Sequence, residues 1–271
     1  MYDVRDARDN FSERLAEMKI RLIETAKRVS SWLGLDAVQH DGRVLPAQHL
    51  RLCGQEFRDH AYFLRSARAE ADRLVEHCGL RQDSALLDIG CGFGRLAIGV
   101  LDRVGDIRDY RGLDVSAAAI AWCRRHVGAA HPSFQFTRVD VRNDRYNPGG
   151  EQITTAFRLP LDDAAFDAAY AYSVFSHMEL ADIEQYLAEL HRLLRPGGAA
   201  FVTLFVADDA PDVSINPAGG SSAWQGPLHC VRFRRSLIDD RIREAGFTIE
   251  QVAEGVETDG QSGYYLRRNS P

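Results

Sequence analysis

The sequence predicts an α/β fold in which a mostly parallel β-sheet carries helices on both faces. From residue 85 onward, short apolar segments alternate with segments whose apolar residues recur at helical spacing. This alternation is typical of parallel sheets, because two parallel strands need a long crossover, usually a helix, between them. The predicted elements are a strand over 85–89, a helix over 94–104, a strand over 110–114, a helix over 117–127, strands over 134–139 and 166–172, a helix over 182–194 and a strand over 199–206.

The chain ahead of the sheet, residues 1–80, predicts a helical extension. Residues 10–35 place apolar side chains at steps of three and four, which is the period of an amphipathic helix, and a second helix is predicted over 62–78. Residues 36–60 lose this period and collect Gly, Pro and His, which predicts loops and turns rather than core. We expect this segment to form a lid.

The sheet domain, residues 81–271, carries turn-rich insertions near 143–163 and 207–232. We expect both insertions to contribute to an acceptor site. The C-terminal part predicts a helix over 235–245 that ends at a glycine, followed by a strand over 247–252.

The composition is that of an ordinary globular protein and disfavours several classes of function. The 271 residues are 45% hydrophobic and 27% charged, and no stretch approaches the roughly 20 uninterrupted apolar residues of a membrane span. The N-terminus lacks the apolar core of a secretory signal, so we expect a cytoplasmic protein without membrane contact. A formal net charge of -6 disfavours nucleic-acid binding, which needs a broad positive surface, and favours a small-molecule acceptor.

The five cysteines predict neither a disulfide framework nor a zinc site. Cys53, Cys78, Cys91, Cys123 and Cys230 are scattered along the chain, and none belongs to a Cys-x-x-Cys pair. We expect them to be reduced thiols.

The segment LLDIGCGFGRLA predicts a binding site for a nucleotide-type cofactor. An apolar strand leads into three alternate glycines, Gly90, Gly92 and Gly94. Such glycines adopt positive φ angles and bring backbone N–H groups against a ligand that a Cβ would exclude. A nicotinamide-binding loop would instead place its third glycine at Arg95. The carboxylate of Asp88 would repel a dinucleotide pyrophosphate but suits the positively charged methionine end of S-adenosylmethionine (SAM).

Two further acids follow the next two predicted strands, where ligands of open α/β sheets collect. Asp114 is suited to accept hydrogen bonds from both ribose hydroxyls, and its alternative role as a helix N-cap can be filled by Ser116. Asp140 is placed to accept the adenine amino group, with Val141 near the ring, and a solvated loop acid is the alternative.

Together LLDIGCGFGRLA, GLDVS, VDV, FDAAYAYSVFSHM and ELHRLLRPGGAAFVTLF resemble the class I SAM-dependent methyltransferases over residues 85–206. The resemblance implies a Rossmann-like fold with a mostly parallel seven-stranded sheet, and SAM as cofactor. It assigns the methionine and ribose end of SAM to Gly90 and Gly92, the ribose to Asp114 and the adenine to Asp140. The remaining predicted cofactor contacts are Asp88, Cys91, Arg95, Val115, Val141 and Ser173.

The segments GQEFRDH, AIAWC, YNPGG and SVFSHM are similar to a bacterial subgroup associated with sugar or glycoconjugate modification. This resemblance implies an O-methyltransferase acting on a hydroxyl of a saccharide or related polar metabolite, although acceptor specificity changes easily on one scaffold. An N- or C-methyltransferase acting on another small metabolite uses the same cofactor site. A non-catalytic SAM-binding protein is a further alternative, which an intact SVFSHM segment disfavours.

His177 is the candidate general base. It follows the fourth strand of the domain, where the family commonly places residues that face the acceptor, and imidazole titrates near physiological pH. The alternative is a histidine that pins the loop through hydrogen bonds. Tyr172 and Ser173 end the same strand and are expected to line the pocket.

Other candidates lie in the segments expected to cover the site. Trp224 is a candidate platform for a sugar ring, because sugar C–H faces pack well on aromatic rings. Asp208 and Asp209, with Asp212, are candidate ligands for Mg²⁺, although an acidic solvated loop is the alternative. The further candidate acceptor contacts are His49, Glu56, His60 and His229.

The first predicted helix has two alternative roles. It either seals a homodimer or closes over the cofactor, and the sequence does not distinguish these roles.

Overall fold

A computed structural model of the chain confirms the α/β architecture. Within the first predicted helix, the described positions between 18 and 30 are helical, whereas Leu35 is not. Most of that helix, Cys53 and Trp224 lie outside the described residues. The structure describes Met18 and residues 22–23, 25–27, 29–30, 34–51, 54–218 and 226–270.

The strands and helices of the described chain follow the predicted order, with additional strands near the N-terminus, in the insertion over 207–232 and near the C-terminus. The strands are β1 (Ala37–His40), β2 (Arg43–Pro46), β3 (Ala85–Ile89), β4 (Asp109–Asp114), β5 (Phe134–Arg138), β6 (Phe166–Ala171), β7 (Leu194–Ala207), β8 (Val213–Ile215), β9 (Val231–Arg234), β10 (Phe247–Ala253) and β11 (Ser262–Arg268). The α-helices are α1 (His60–Cys78), α2 (Arg95–Arg103), α3 (Ala117–Cys123), α4 (Leu180–Leu193) and α5 (Arg235–Glu244).

The centre of the main sheet is parallel and its far edge is antiparallel. Strands β5, β4, β3, β6 and β7 lie side by side in that order, and each neighbouring pair is parallel. Strand β11 lies antiparallel between β7 and β10. The carboxyl ends of the parallel strands therefore meet along one edge, which is where ligands of such sheets bind.

The central strand β3 is buried on both faces, which is why its sequence is almost entirely apolar. All five of its residues are buried, because helices cover both faces of the sheet. Four of these residues are apolar. The fifth, Asp88, is a buried carboxyl, which is costly unless nearby groups stabilise it.

Helix α1 packs directly on α2 through a glycine. A Cβ built on Gly99 would lie only 1.9 Å from the carbonyl oxygen of Ala67 on α1. Leu64, Ala71 and Leu74 of α1 are fully buried. The two helices can approach this closely only because residue 99 has no side chain.

Gly99→Ala should therefore destabilise the fold. The added methyl group must displace the backbone of α1, so we expect the free energy of unfolding to fall by about 1–3 kcal/mol or more, as for other overpacked cores. Chemical denaturation followed by circular dichroism measures the change. Gly149→Ala is the matched control, because its Cβ would meet no atom within 4 Å and its φ is not positive. Equal stability of the two variants would contradict the tight helix contact.

The prediction that residues 36–60 form loops outside the core needs correction, whereas their role as a lid stays a prediction. Strands β1 and β2 form a hairpin in this segment, and Leu45, Leu50 and Phe57 are buried in the same core cluster as the helices and the sheet. The indole Nε1 of Trp122 donates to the carbonyl oxygen of Asp36 at 2.8 Å. The sequence has no helical or alternating period here because single apolar side chains reach the core from turns.

The predicted boundary at residue 80 does not separate two cores. Buried side chains of α1 belong to one cluster with residues of β3 and α2. Helix α1 also reaches the C-terminal part, because Arg73 Nη1 lies 2.7 Å from Glu257 Oε1. The extension is thus built into the sheet domain over residues 34–51 and 54–80.

Besides β1 and β2, three strands have no counterpart among the predicted elements. Strands β8 and β9 form part of the insertion over 207–232 and pair with each other, and β9 also pairs with β7. Strand β11 completes the antiparallel edge. Among the residues that the structure describes, no helix has both the length and the apolar character needed to cross a bilayer.

Candidate functional site

A cavity of about 580 Å³ opens at the carboxyl ends of β3, β4 and β6. Most residues predicted to form the site lie in its wall, although they are far apart in sequence. The predicted residues that line it are Asp88, Gly90, Cys91, Gly92, Arg95, Asp114, Val115, Val141, Tyr172, Ser173, His177 and His229.

The glycine-rich loop has the backbone that its sequence predicts. Gly90, Gly92 and Gly94 have φ angles of 75°, 50° and 75°. A Cβ on Gly90 would lie 2.4 Å from Val174 Cγ2, whereas a Cβ on Gly92 would meet no protein atom within 4 Å. The positive φ at position 92 therefore favours glycine there. The space where a side chain would lie is open and leaves room for a ligand beside the loop.

Asp114 holds the glycine-rich loop against the end of β4. Its Oδ2 accepts a hydrogen bond from the backbone N–H of Gly92, and its Oδ1 accepts one from Ser116, both at 2.8 Å. Ser116 caps α3 with its own side chain, so the cap that Asp114 would otherwise supply is already filled. A carboxylate oxygen accepts more than one hydrogen bond, so both oxygens retain capacity for ribose hydroxyls.

Asp88 is a buried carboxyl beneath the loop. It is only 2% exposed, and the hydroxyl of Tyr110 donates a hydrogen bond to its Oδ2. Burial raises the pKa of Asp88 to about 7, since removing water disfavours the charged form more than Tyr110 and Arg95 stabilise it. A cationic group placed here would favour the carboxylate.

His177 is held from one side and lines the cavity. Its Nδ1 lies 3.1 Å from the carbonyl oxygen of Leu228, which can only accept, so Nδ1 donates and Nε2 is the nitrogen able to take up a proton. Nε2 lies 3.5 Å from Ser173 Oγ. Burial, followed by the charge of Arg145, lowers the pKa of His177 to about 4, so the ring is neutral near pH 7.

Ser173 is oriented by a buried network that the sequence does not reveal. It has a φ of 56°, which is uncommon for a residue with a side chain. Its N–H donates to Thr203 Oγ1 at 2.7 Å, and its Oγ accepts from Gln261 Nε2 at 3.0 Å. Thr203 Oγ1 in turn donates to Gln261 Oε1. The hydroxyl hydrogen of Ser173 is therefore directed toward other partners, Ser176 and His177.

Residues 87–202 match the family described as a methyltransferase domain. Over this range the chain resembles a class I SAM-dependent methyltransferase domain. The site fits this cofactor, because Asp88 offers a carboxylate for a cation, Gly92 leaves space beside the loop and Asp114 offers acceptors for hydroxyls. The predicted cofactor and enzyme class agree with this match, whereas the sugar acceptor and the general base stay predictions.

Named relatives of the methyltransferase domain include several O-methyltransferases. The chain is 29% identical over 192 residues to a probable S-adenosylmethionine-dependent methyltransferase of Mycolicibacterium smegmatis, matching 70% of this chain and 61% of that protein. It is 28% identical to O-methyltransferase cnsE of Penicillium expansum and to the malonyl-[acyl-carrier protein] O-methyltransferase of Pseudescherichia vulneris, each over 70% of this chain and 62% of the relative. The chain thus spans about six-tenths of the length of these relatives.

Solved structures share the fold of the methyltransferase domain. The [4+2]-cyclase SpnF superposes with a TM-score of 0.58 at 20% identity, covering 96% of this chain and 97% of that one. Geranyl diphosphate C-methyltransferase of Streptomyces coelicolor A3(2), solved with Mg²⁺, geranyl diphosphate and S-adenosyl-L-homocysteine, superposes with a TM-score of 0.53 at 18% identity, covering 79% and 82%. These likenesses concern the fold, which hosts more than one chemistry.

The titration of Asp88 gives the methyltransferase domain a testable pH dependence. In the free protein the carboxyl is half protonated near pH 7, and the ammonium group of S-adenosylhomocysteine favours its ionised form. Binding should therefore release a proton below pH 7, and affinity should fall as pH decreases, by about 10-fold per pH unit at most for one proton. Calorimetry at pH 6 in buffers of different ionisation enthalpy measures this release.

Asp88→Asn is the control for that experiment. Its amide cannot titrate, so the dependence of the binding enthalpy on the buffer should disappear. If the wild-type protein releases no proton on binding, the positive charge of the ligand does not change the ionisation of Asp88.

The segment after β5 contributes cavity residues that the sequence did not single out. Arg142, Asn143, Arg145 and Tyr146 line the cavity. Asn143 is buried, and its Nδ2 donates to the carbonyl oxygen of His177 at 2.8 Å. The only sequence signal was the turn-rich insertion itself, because contact with a residue 34 positions away leaves no local pattern.

Asp140 is not among the residues that line the cavity. Its Oδ1 accepts hydrogen bonds from Arg138 Nη2 at 2.8 Å and from Asn147 Nδ2 at 2.9 Å. The predicted contact with adenine stays a prediction, whereas the neighbouring Val141 does line the cavity.

Three predicted acceptor contacts are placed elsewhere. His49 Nε2 lies 2.9 Å from Ser30 Oγ, and His60 Nδ1 lies 2.8 Å from Arg51 Nη2, so both histidines have structural partners. Glu56 lines a separate cleft of about 430 Å³ that shares Arg95 and other residues with the main cavity. None of the three lines the main cavity, and their contact with an acceptor stays a prediction.

The proposed Mg²⁺ site receives no support from the described residues. Asp208 Oδ1 accepts a hydrogen bond from Arg235 Nε at 2.8 Å, and Asp212 pairs with Arg234 at 2.9 Å. Over the described chain, Asp209 included, no group of three or more His, Cys, Asp or Glu side chains is arranged to hold a metal ion. Asp208 and Asp212 are used in ion pairs.

Proposed function

We propose that the chain transfers a methyl group to a hydroxyl oxygen of a small polar acceptor, a sugar or glycoconjugate, with His177 as general base. The observation that carries the proposal is the placement of His177 in the cavity wall, with Nδ1 bonded to Leu228 and Nε2, 3.5 Å from Ser173 Oγ, able to take up a proton. When bound, SAM supplies the methyl group as an activated sulfonium.

The chain's own residues would perform three tasks. Asp88 and Asp114 bind and orient the cofactor at the glycine-rich loop. Ser173, positioned by Gln261, holds the edge of the imidazole. His177 removes the proton of the attacking hydroxyl, which contributes typically 10²–10⁴-fold to such reactions (an order-of-magnitude range).

The assignment to oxygen is supported by the names of relatives. The proteins of Penicillium expansum and Pseudescherichia vulneris are both named O-methyltransferases. The saccharide assignment rests on the resemblance of YNPGG and SVFSHM to the sugar-modifying subgroup. Tyr146 and Tyr172 add aromatic rings to the cavity wall, on which sugar C–H faces pack well.

Isotope transfer tests the reaction. The protein is incubated with SAM carrying a ¹³C-labelled methyl group and with matched panels of sugars, sugar acids and amines, and products are examined by NMR. We expect labelled methyl ethers from the carbohydrate panels. Labelled N-methyl or C-methyl products would overturn the oxygen assignment while keeping the methyltransferase class.

A further inference from the structure

The cavity wall carries more cationic than anionic side chains. Among the described residues, five cationic side chains and three carboxylates line it. Asp88 and Asp114 belong to the cofactor end, at the glycine-rich loop. The segment after β5 contributes Arg142 and Arg145, beside His177 and His229.

Two of the other cations have structural partners. Arg51 is buried, and its Nε donates to the carbonyl oxygen of Pro46 at 2.8 Å. The guanidinium of Arg95 lies 4.8 Å from the ring centroid of Tyr172 and 3.7 Å from Glu70. The arginine whose charge acts on His177 is Arg145, and Arg142 belongs to the same loop.

The loop that carries these arginines is fixed against His177. Asn143 donates to the carbonyl oxygen of His177, and its Oδ1 accepts the N–H groups of Arg145 at 3.1 Å and Tyr146 at 3.0 Å. The rings of Tyr146 and His177 meet edge to face, with centroids 5.5 Å apart. Arg142 is oriented by Asp144, which accepts its Nε–H at 3.0 Å.

We infer that the acceptor is a hydroxy acid, such as a sugar acid, whose carboxylate binds Arg145 with Arg142 beside it while the hydroxyl to be methylated faces His177. The inference rests on the proposed function and specifies its substrate class. Guanidinium groups bind carboxylates in a planar, two-bond geometry that fixes orientation as well as charge.

An anionic acceptor would also improve the base. The positive charge of Arg145 disfavours a second positive charge on the nearby imidazole, and His229 acts in the same direction. A carboxylate beside Arg145 offsets this effect, so His177 becomes more basic when an acid is bound. A neutral sugar would leave the imidazole a weak base.

Calorimetry on the protein saturated with S-adenosylhomocysteine tests the inference. The probes are D-glucuronate, D-galacturonate and L-tartrate, each compared with its neutral methyl ester. We expect at least one acid to bind about 10-fold or more tightly than its ester, and Arg142→Gln/Arg145→Gln to remove this preference. Arg158→Gln, which alters an exposed arginine paired with Asp163, should retain it.

The outcomes separate this inference from the proposed function. Equal binding of acids and esters, no binding of any acid, or a preference that persists in the double variant would overturn the inference. Labelled methyl ethers of neutral sugars in the isotope experiment would still support the proposed function. Loss of S-adenosylhomocysteine binding in the double variant would show that the arginines serve the cofactor instead.

Discussion

Asp114→Ala should lower the affinity for S-adenosylhomocysteine by about 100-fold or more. The substitution removes the acceptors expected to hold the ribose hydroxyls, and it also frees the N–H groups of Gly92 and Ser116 that Asp114 now binds. Two lost hydrogen bonds to a charged group, at about 1.5–3 kcal/mol each, correspond to this loss or more. Isothermal titration calorimetry of the purified variant measures it.

The control for this prediction is Asp83→Ala, which removes an exposed acid near β3. Its affinity should equal that of the wild type, and the circular dichroism spectra of both variants should match the wild type. NAD⁺ should bind none of them. Wild-type affinity in Asp114→Ala would mean that the cofactor does not use the carboxylate after β4.

His177→Ala should reduce kcat by about 10²–10⁴-fold with the acceptor found by isotope transfer, while KM changes little. The reason is that a general base acts on the transition state and contributes little to binding of the neutral hydroxyl. Steady-state kinetics of the wild type, His177→Ala and His177→Gln measures the effect. His177→Gln keeps a donor for Leu228 but supplies no base, so its kcat should be as low.

The pH profile separates a base from a structural pin. Because the pKa of His177 is lowered to about 4, the free protein holds the ring unprotonated from about pH 5 upward. Protonation of the imidazole should therefore lower kcat/KM only as the pH decreases toward 4. An ordinary histidine, with a pKa of about 6.5, would lower it at a higher pH. If His177→Gln retains the wild-type kcat, the residue only pins the loop to Leu228.

The cofactor half of the site could be predicted because its signals are local. Glycines at alternate positions, Asp88 before them and Asp114 at the next strand end each follow directly from the order of strands and turns. Parallel strands bring their carboxyl ends to one edge, so three short segments were enough to place these residues together.

The acceptor half could not be predicted to the same depth, because it depends on contacts between distant segments. Asn143 fixes its loop by bonding to His177, and Gln261 orients Ser173 from 88 positions away. An arginine of an exposed ion pair and a cavity-lining arginine look alike in sequence, so Arg145 was missed. The hairpin of β1 and β2 was missed because its apolar residues have no regular period.

The contact between Gly99 and Ala67 also limits how this protein can diverge. A carbonyl of one helix occupies the place where a side chain of the other would begin, so neither helix can be exchanged for that of a relative without the other. Replacing residues 1–80 with the corresponding segment of a relative would leave mismatched contacts on α2 and at Glu257. New acceptor preferences are therefore expected to arise in the loops after β5 and before β9, which can vary without disturbing that helix pair.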